Sequence, residues 1–201
     1  MQTVCYRVGG SLYLNITNRC PCDCVFCIRR NGDSAYGSDS LWLDHEPTVE
    51  EVIRGLSAHD LDACEEIVFC GYGEPLTRLN DVIEICKYIR SVTGTPIRVD
   101  TNGLSDLMEG AGTAHRLEGL VDALSISLNA PTAEEYVELT KPIYGSAAYG
   151  AMLHFAREAK KVVPRVGFTV VDILPPDRVA ACKKVADEMG LPLRVRRHMP
   201  G

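Results

Sequence analysis

Four cysteines fall within eight residues of the stretch LNITNRCPCDCVFCIRRN, which covers positions 14–31. Three of them, Cys20, Cys24 and Cys27, have the spacing CxxxCxxC, and Cys22 stands between the first two. Thiolates bind iron–sulfur clusters or zinc in preference to magnesium or calcium. Three thiolates on one short loop can ligate three irons of a 4Fe–4S cluster, which leaves the fourth iron open. The spacing therefore predicts a metal centre with a free coordination site, where chemistry can occur.

A structural zinc site is the alternative interpretation of this loop, with Cys22 as the fourth ligand. Zinc sites usually use two CxxC pairs separated by a longer loop, and this chain has one tight group without a second pair. The spacing therefore favours a cluster, and Cys22 receives no role. We predict no auxiliary cluster, because the other cysteines stand alone, as small buried residues commonly do. They are Cys5, Cys64, Cys70, Cys86 and Cys182.

The overall composition is that of a globular protein, with 46% apolar and 24% charged residues among 201. The net charge of −6 gives no reason to expect general binding to nucleic acid or to anionic membranes. No apolar run reaches the roughly 20 residues that a membrane span needs, and the N-terminus MQTVCYRV lacks a secretory pattern. We therefore expect a cytoplasmic protein without a membrane partner, in which the thiols stay reduced.

The elements that must position the cysteine loop alternate between strands and helices. Six predicted strands are joined by five crossovers, and Gly9-Gly10 predicts a hairpin that adds one antiparallel strand at the N-terminal edge. Capping boxes at Thr48–Glu51 and Thr132–Glu135 predict two helix starts, and Asn80 predicts a third. Such alternation indicates a parallel sheet with helices outside it. A closed eight-stranded barrel usually takes about 250 residues, so we expect an α/β fold: a partial, laterally open (β/α)6 TIM-like barrel.

Four of the predicted strands carry polar side chains at every second position. These positions are Asn15 and Thr17; Arg98, Asp100 and Asn102; Ser125, Ser127 and Asn129; and Arg194, Arg196 and His198. In a βα barrel one strand face packs on the helices and must be apolar, so the polar face is the inside. The pattern predicts a lumen that binds a polar ligand. Solvent-facing residues of an open sheet are the alternative.

The unusual loops of the chain also fall at the carboxyl ends of predicted strands. The cysteine loop follows the first barrel strand, and Gly71–Pro75 (GYGEP), Thr101–Gly103 (TNG) and Asn129–Pro131 (NAP) follow the next three. Ligand sites of βα folds lie at that end of the sheet. We therefore predict that all four loops meet at one rim.

These residues resemble the radical S-adenosylmethionine (SAM) superfamily across nearly the whole chain. The stretches LYLNITNRCPCDCVFCIRRNGDS, IVFCGYGEP, DTNGL, SISLNAPTAEEY and FTVVDILPP are similar to a subgroup of small radical SAM proteins associated with TatD-type hydrolases. The resemblance implies a single radical SAM core domain over residues 1–201. It implies that Cys20, Cys24 and Cys27 hold a catalytic 4Fe–4S cluster whose open iron binds the amino and carboxylate groups of SAM. Reductive cleavage of SAM would then give a 5′-deoxyadenosyl radical that abstracts hydrogen from a substrate.

The resemblance also implies which side chains bind SAM. Phe26 would lie against the adenine, and Gly73 with Glu74 matches the GGE motif that receives the SAM amino group. Tyr72 stands where that motif has its first glycine, so the turn must accept a side chain. The remaining implied contacts, to the amino acid moiety, ribose or adenine, are Asp100, Asn102, Ser127, Asn129 and His198.

Two groups of arginines have no assigned family role. Charges in a lumen need a partner, so Arg194 and Arg196 are candidates to hold the SAM carboxylate or an acidic substrate group, or to pair with nearby carboxylates. Arg29 and Arg30 follow the cluster loop. A charge pair in a loop is usually solvated, which is what we expect for these two.

The expected partners are SAM, an unknown substrate that can be large, and a one-electron donor such as a flavodoxin or ferredoxin. A TatD-type hydrolase is a candidate functional partner. Several function classes stay open within an oxidoreductase or lyase assignment. A glycyl-radical activase is one, although the region before the cysteines reads VGGSLYLN rather than a DGPGxR-like run. A modified-nucleobase enzyme resembling 7-carboxy-7-deazaguanine synthase is another. A non-catalytic iron–sulfur or zinc module for electron transfer or scaffolding is the alternative from a different class.

Overall fold

A computed structural model describes residues 2–198. Within them the strands are β1 (Cys5–Val8), β2 (Ser11–Leu14), β3 (Ile67–Phe69), β4 (Ile97–Thr101), β5 (Ala123–Ser127), β6 (Arg165–Val171) and β7 (Leu193–Arg196). The α-helices are α1 (Val49–Leu56), α2 (Leu79–Val92), α3 (Ser105–Glu109), α4 (Ala133–Thr140), α5 (Ala147–Val162) and α6 (Pro176–Glu188). Short 3-10 helices span Ile28–Arg30, Pro75–Arg78 and Thr113–Leu117.

All seven strands form one sheet, in the order in which they occur along the chain. Strands β2 to β7 run parallel, and β1 pairs antiparallel with β2 through the tight turn at Gly9, whose φ is 59°. Among residues 2–198, β7 pairs with β6 alone, so the sheet does not close on itself. The predicted laterally open arrangement of six parallel strands with an N-terminal hairpin strand is confirmed.

The core lies between the sheet and the helices that cover its outer face. Helix α2 contributes one apolar stripe to it, formed by Val82, Ile85, Cys86 and Ile89. These positions recur at helical spacing, so all four side chains pack against the sheet. Burial of an aliphatic side chain of this size stabilises the fold by about 1.5–3 kcal/mol. No helix within residues 2–198 is long and apolar enough to cross a membrane.

The predicted helix starts have different outcomes. The capping box at Thr48 is confirmed in both directions, and the Thr132 hydroxyl accepts the backbone N–H of Glu135 at the start of α4. The prediction that Asn80 caps a helix is wrong. Helix α2 begins at Leu79, because the 3-10 helix before it runs straight into it, and the side-chain cap is supplied upstream by Glu74.

Candidate active site

One cavity of about 220 Å³ lies at the carboxyl ends of the strands. It gathers the residues that the resemblance implied as cluster ligands or SAM contacts, together with Arg196, from five separate segments of the chain. Its lining includes Cys20, Cys24, Cys27, Phe26, Gly73, Glu74, Asp100, Asn102, Ser127, Asn129, Arg196 and His198. Cys22 lines it as well. The convergence of the four loops on one rim follows from the parallel strand directions.

The cysteine loop is fixed by backbone hydrogen bonds to the C-terminal end of α4. The N–H of Asp23 donates to the carbonyl of Thr140 at 3.0 Å, and the N–H of Val25 donates to the carbonyl of Leu139 at 2.9 Å. Backbone pairing of this kind holds a loop in place without using its side chains. The thiols therefore remain free to face the cavity.

The first two sulfurs of the loop share a donor from the opposite rim. The Asn102 side-chain N–H₂ lies 3.9 Å from the sulfurs of both Cys20 and Cys22. The pKa of Cys20 is lowered to about 7 because the Cys22 thiol donates to it, and the pKa of Cys22 is raised by the same contact. Cys20 is thereby favoured as the thiolate, which is the form that binds metal. Within residues 2–198 no three His, Cys, Asp or Glu side chains are grouped as ligands of a single metal ion.

Arg29 differs from the expectation that it is solvated. Its side chain is half-buried, and Nε donates to the Cys27 sulfur at 3.4 Å. A second guanidinium nitrogen donates to the Asn18 carbonyl at 3.2 Å, and the guanidinium carbon lies 5.9 Å from the centre of the Trp42 ring. The side chain is therefore fixed against one of the predicted cluster ligands. Arg30 instead forms an exposed ion pair with Asp23.

Glu74 is a buried carboxylate at the centre of the rim, with 4% of its surface exposed. One carboxylate oxygen accepts the Leu76 N–H at 3.0 Å and the Thr101 hydroxyl at 2.7 Å, and the other accepts the Asn102 N–H at 2.7 Å. Burial raises the pKa of Glu74 to about 8 despite these donors, and the Cys20 charge adds to the rise. A carboxylate held this firmly in a cavity is prepared to accept N–H groups from a ligand.

The glycines of the GYGEP turn are required by close packing. A Cβ on Gly73 would lie 2.3 Å from the Thr17 carbonyl oxygen and 2.7 Å from that of Arg19. A Cβ on Gly71 would lie 2.1 Å from the Asn15 side-chain oxygen. Real Cβ atoms do not approach backbone oxygens this closely, so only glycine lets this turn pack on the cysteine loop.

The turn accepts the Tyr72 side chain because the side chain packs on the loop of residues 31–43. Its hydroxyl donates to the Gly32 carbonyl at 2.7 Å, and its ring meets Trp42 edge to face with 5.0 Å between ring centres. Tyr72 thereby ties the loop of residues 31–43 over the rim. The departure from the GGE motif therefore has a structural role of its own.

Several polar atoms in this region are buried without a hydrogen-bond partner. Among residues 2–198 they are Asn129 Oδ1, Thr169 Oγ1 and Arg196 Nε. Asn129 also has a φ of 57°, a left-handed conformation that is uncommon outside glycine and concentrates at ligand sites. Buried polar atoms are normally paired, so Asn129 and Arg196, which both line the cavity, are suited to hydrogen-bond a bound molecule. Thr169 was missed by the sequence analysis, although its register opposite Ser127 marks it as inward-facing.

Part of the predicted lumen is wrong. Asn15 and Thr17 do not line the cavity: the Asn15 amide donates to the Leu41 carbonyl at 2.7 Å, and the Thr17 hydroxyl donates to the Glu46 carboxylate at 2.5 Å. Strand β2 ends at Leu14, so the alternation no longer defines an inner face beyond it. Ser125 also lies outside the cavity lining.

Other cavity residues were not found from the sequence. Tyr136 lies in α4 and is 1% exposed, and Thr140 on the next turn donates to its carbonyl at 2.7 Å. Both line the cavity beside the cysteine loop, as does Cys70, whose pKa burial raises to about 12. Their helical or strand spacing is that of ordinary core residues, and the motif SISLNAPTAEEY, which ends at Tyr136, was the one available signal.

The sequence model of the radical SAM superfamily matches residues 14–187, which is most of the chain and includes all four rim loops. The chain belongs to the radical SAM superfamily. It is an enzyme of this family, and its cofactors are a 4Fe–4S cluster and SAM. The residues of the cavity fit these groups, since thiols line one side and a buried carboxylate and orphaned polar atoms line the other.

Two relatives show how far the likeness extends. The chain is 32% identical over 187 residues to a protein named GTP 3′,8-cyclase from Corynebacterium glutamicum, with 84% of this chain and 45% of the relative covered. It is 34% identical over 134 residues to a probable GTP 3′,8-cyclase from Methanothermobacter thermautotrophicus, with 67% and 40% covered. The chain thus spans less than half the length of these relatives.

Solved structures share the fold at low sequence identity. SuiB of Streptococcus suis bound to SAM superposes with a TM-score of 0.67 at 14% identity, covering 94% of this chain and 40% of that one. A radical SAM methyltransferase from Sphaerobacter thermophilus superposes with a TM-score of 0.59 at 18% identity, covering 96% and 68%. The open βα sheet is therefore the radical SAM arrangement.

Proposed function

We propose that this chain cleaves SAM reductively to a radical, which then abstracts a hydrogen atom from a substrate. Cys20, Cys24 and Cys27 are the three cluster ligands, and their fourth iron is left for SAM. When bound, the cluster would deliver one electron to the SAM sulfonium, whose carbon–sulfur bond breaks to give methionine and a 5′-deoxyadenosyl radical. The observation that carries the proposal is the position of Glu74, buried in the same cavity as the three thiols.

Different residues around the cavity bind different parts of SAM. Glu74 accepts N–H groups of the SAM amino group, because both of its oxygens are already held in place by donors from the rim. Phe26 offers an apolar surface to the adenine. Asn129 and Ser127 at the end of β5 hydrogen-bond the ribose or amino acid moiety, with Asn129 Oδ1 supplying an acceptor that has no partner in the protein. Asp100 and His198 complete the wall.

Water exclusion falls to the loop of residues 31–43. Leu41 of this loop is 1% exposed and lines the cavity, and contacts of Trp42 and of the Gly32 carbonyl with Tyr72 join the loop to the rim. A closed, dry site protects a reactive carbon radical from side reactions. We infer that this loop is the cover of the SAM site.

Anaerobic reconstitution with iron and sulfide, followed by dithionite and SAM, tests the proposal. The wild-type protein should form 5′-deoxyadenosine, and Cys24→Ala should form none. Cys5→Ala is the matched control, because Cys5 is half-buried in β1 and lies outside the cavity lining. A brown protein that is reduced but never cleaves SAM would refute the function. A colourless protein that binds one zinc would refute the cluster.

A GTP-directed reaction is the second candidate that we propose, because relatives at 32% and 34% identity are named GTP 3′,8-cyclase. The chain spans less than half of those proteins, so this activity would need the rest of such a molecule or a different substrate geometry. Addition of GTP should raise 5′-deoxyadenosine formation at least tenfold over the uncoupled rate. An unchanged rate would leave the first proposal standing and remove the second.

We also propose partners and a location for this chain. A flavodoxin or ferredoxin is suited to supply the electron, since the cluster takes one electron at low potential. A TatD-type hydrolase as functional partner rests on the similarity of the rim motifs to that subgroup alone. A cytoplasmic location suits a centre that needs reduced thiolates.

A further inference from the structure

A second cavity, of about 660 Å³, continues the first one beside strand β7. Its volume lies in the range of small-molecule binding sites, roughly 300–1,000 Å³. Residues that line both cavities are Tyr36, Cys70, Asp100, Arg196, Arg197 and His198. A molecule in the second cavity would therefore lie against whatever occupies the first.

The second cavity carries an excess of positive charge. Four arginines line it, at positions 98, 194, 196 and 197. Arg98 is neutralised, because its Nε donates to Glu66 at 2.6 Å and another of its nitrogens pairs with Asp100. Within residues 2–198 no carboxylate lies within ion-pair distance of the other three. Such a concentration of cations is conspicuous in a chain whose net charge is −6.

Two of these arginines lie close together on β7, beside the second cavity. Arg194 and Arg196 pair in register with Thr169 and Val171 of β6. Because the two arginines are two residues apart on one strand, they lie on the same face of the sheet. Arg196 Nε is buried and has no hydrogen-bond partner. A buried guanidinium donor without an acceptor is unfavourable, and its planar fork matches the paired oxygens of a phosphate or carboxylate.

An aromatic wall faces these cations. The rings of Tyr13 and Tyr36 lie 6.5 Å apart between centres, and Tyr36 is 44% exposed. Tyr36 has a φ of 56°, a left-handed conformation that a tyrosine rarely adopts. Strained residues of this kind concentrate at ligand sites. The wall offers an apolar surface to the uncharged part of a molecule whose anionic end meets the arginines.

We propose that the second cavity binds the anionic group of the enzyme's substrate, a phosphate or a carboxylate, through Arg194, Arg196 and Arg197. The identity of the bound molecule as a substrate rests on the proposed radical SAM function, whereas the binding of an anion does not. The substrate is thereby a small anionic molecule, or the anionic end of a larger one that enters through the open side of the barrel.

Calorimetric titration of the reconstituted, SAM-bound protein tests the proposal, with inorganic tripolyphosphate and citrate as probes at equal ionic strength. The variant is Arg194→Gln, because Arg194 is exposed and lines the second cavity but not the first. Arg157→Gln is the control, because Arg157 is an exposed arginine on α5 outside both cavities. The affinity for SAM and the formation of 5′-deoxyadenosine are measured on the same preparations.

We expect the wild type to bind at least one probe and Arg194→Gln to bind it at least tenfold more weakly. Probe binding by the control and the SAM affinity of both variants should be unchanged. The preferred probe then distinguishes phosphate from carboxylate. Three results overturn the proposal: neither probe binds the wild type, Arg194→Gln binds the probe as tightly as the wild type, or SAM affinity falls together with probe affinity. Failure to form 5′-deoxyadenosine with normal probe binding would instead count against the radical function alone.

Discussion

Glu74→Gln is the substitution that isolates the proposed SAM contact. The change replaces an ionisable carboxyl by a neutral amide at nearly constant volume, inside a cavity where three donors fix the carboxyl group. The introduced amide can take two orientations. The one that loses fewest hydrogen bonds places its N–H₂ where a carboxyl oxygen accepts the Asn102 N–H at 2.7 Å in the wild type. That single buried donor then loses its acceptor, which costs about 1–3 kcal/mol. The fold should persist, because the variant no longer buries an ionisable carboxyl.

The effect on SAM affinity follows from the type of bond that is lost. A hydrogen bond with a charged partner contributes about 1.5–3 kcal/mol, and each 1.36 kcal/mol is tenfold. The dissociation constant of SAM for the reconstituted protein should therefore rise roughly 10- to 150-fold in Glu74→Gln. Equilibrium titration with SAM under anaerobic conditions measures it directly.

Glu84→Gln is the matched control for this experiment, because Glu84 is exposed on α2 and lies outside both cavities. It should bind SAM like the wild type. Equal SAM affinity in the wild type and in Glu74→Gln, with normal cluster content, would show that the amino group of SAM is held elsewhere. The reasoning from the buried carboxylate would then be refuted.

Three further predictions follow from contacts of the rim. Gly73→Ala should lower iron incorporation and destabilise the protein by about 1–3 kcal/mol in a chemical-unfolding assay, because its Cβ meets backbone oxygens of the cysteine loop. Gly150→Ala is the control, because Gly150 is exposed in α5 and has open space around the position of a Cβ. It should raise the stability by about 0.5–1 kcal/mol in the same assay. Arg29→Gln should lower the reduction potential of the cluster by about 20–60 mV in an EPR-monitored titration. Loss of the charged donor to Cys27 disfavours the more negative reduced state, and about 59 mV corresponds to a tenfold change in the equilibrium constant for one-electron reduction. An unchanged potential would contradict this role. The pKa of Glu74 is raised from 4.5 to about 8, so its stabilising contribution to the apoprotein is complete below about pH 4.5 and is lost as the pH rises through about 8. The unfolding free energy of the wild type relative to Glu74→Gln should thus fall by about 1.4 kcal/mol per pH unit in that window, and a pH-independent difference would contradict the raised pKa.

The fold was predictable because its signals are local and repeated. Capping at Thr48 and Thr132 depends on residues three positions apart. Because the strands alternate with helical crossovers along the chain, they must run parallel within one sheet. Asn80 was misassigned for a local reason too. The 3-10 helix Pro75–Arg78 leads directly into α2, so α2 begins at Leu79, two residues before the start that a cap at Asn80 would give.

The candidate site was predictable where the chemistry needs particular residue types at close spacing. The cysteine loop and the GYGEP turn are of this kind, and the Cβ distances at Gly73 give the physical reason for its glycine. Contacts made across long sequence separations were not predictable. The Asn15 amide donates to the Leu41 carbonyl, 26 residues away, and Arg29 donates to the Asn18 carbonyl, 11 residues away. Period-two alternation carries no information about where a strand stops.

Electron–nuclear double resonance of the reduced cluster, with SAM labelled by ¹⁵N in its amino group, tests the central claim most directly. Cluster ligation by Cys20, Cys24 and Cys27 alone leaves one iron for the SAM nitrogen, so a hyperfine coupling to ¹⁵N should be present in the wild type. It should be present in Cys22→Ala as well, since Cys22 is not a ligand in this account. A reduced cluster without coupling to the labelled nitrogen in the wild type, in the presence of saturating SAM, would contradict the account of an open iron that binds SAM.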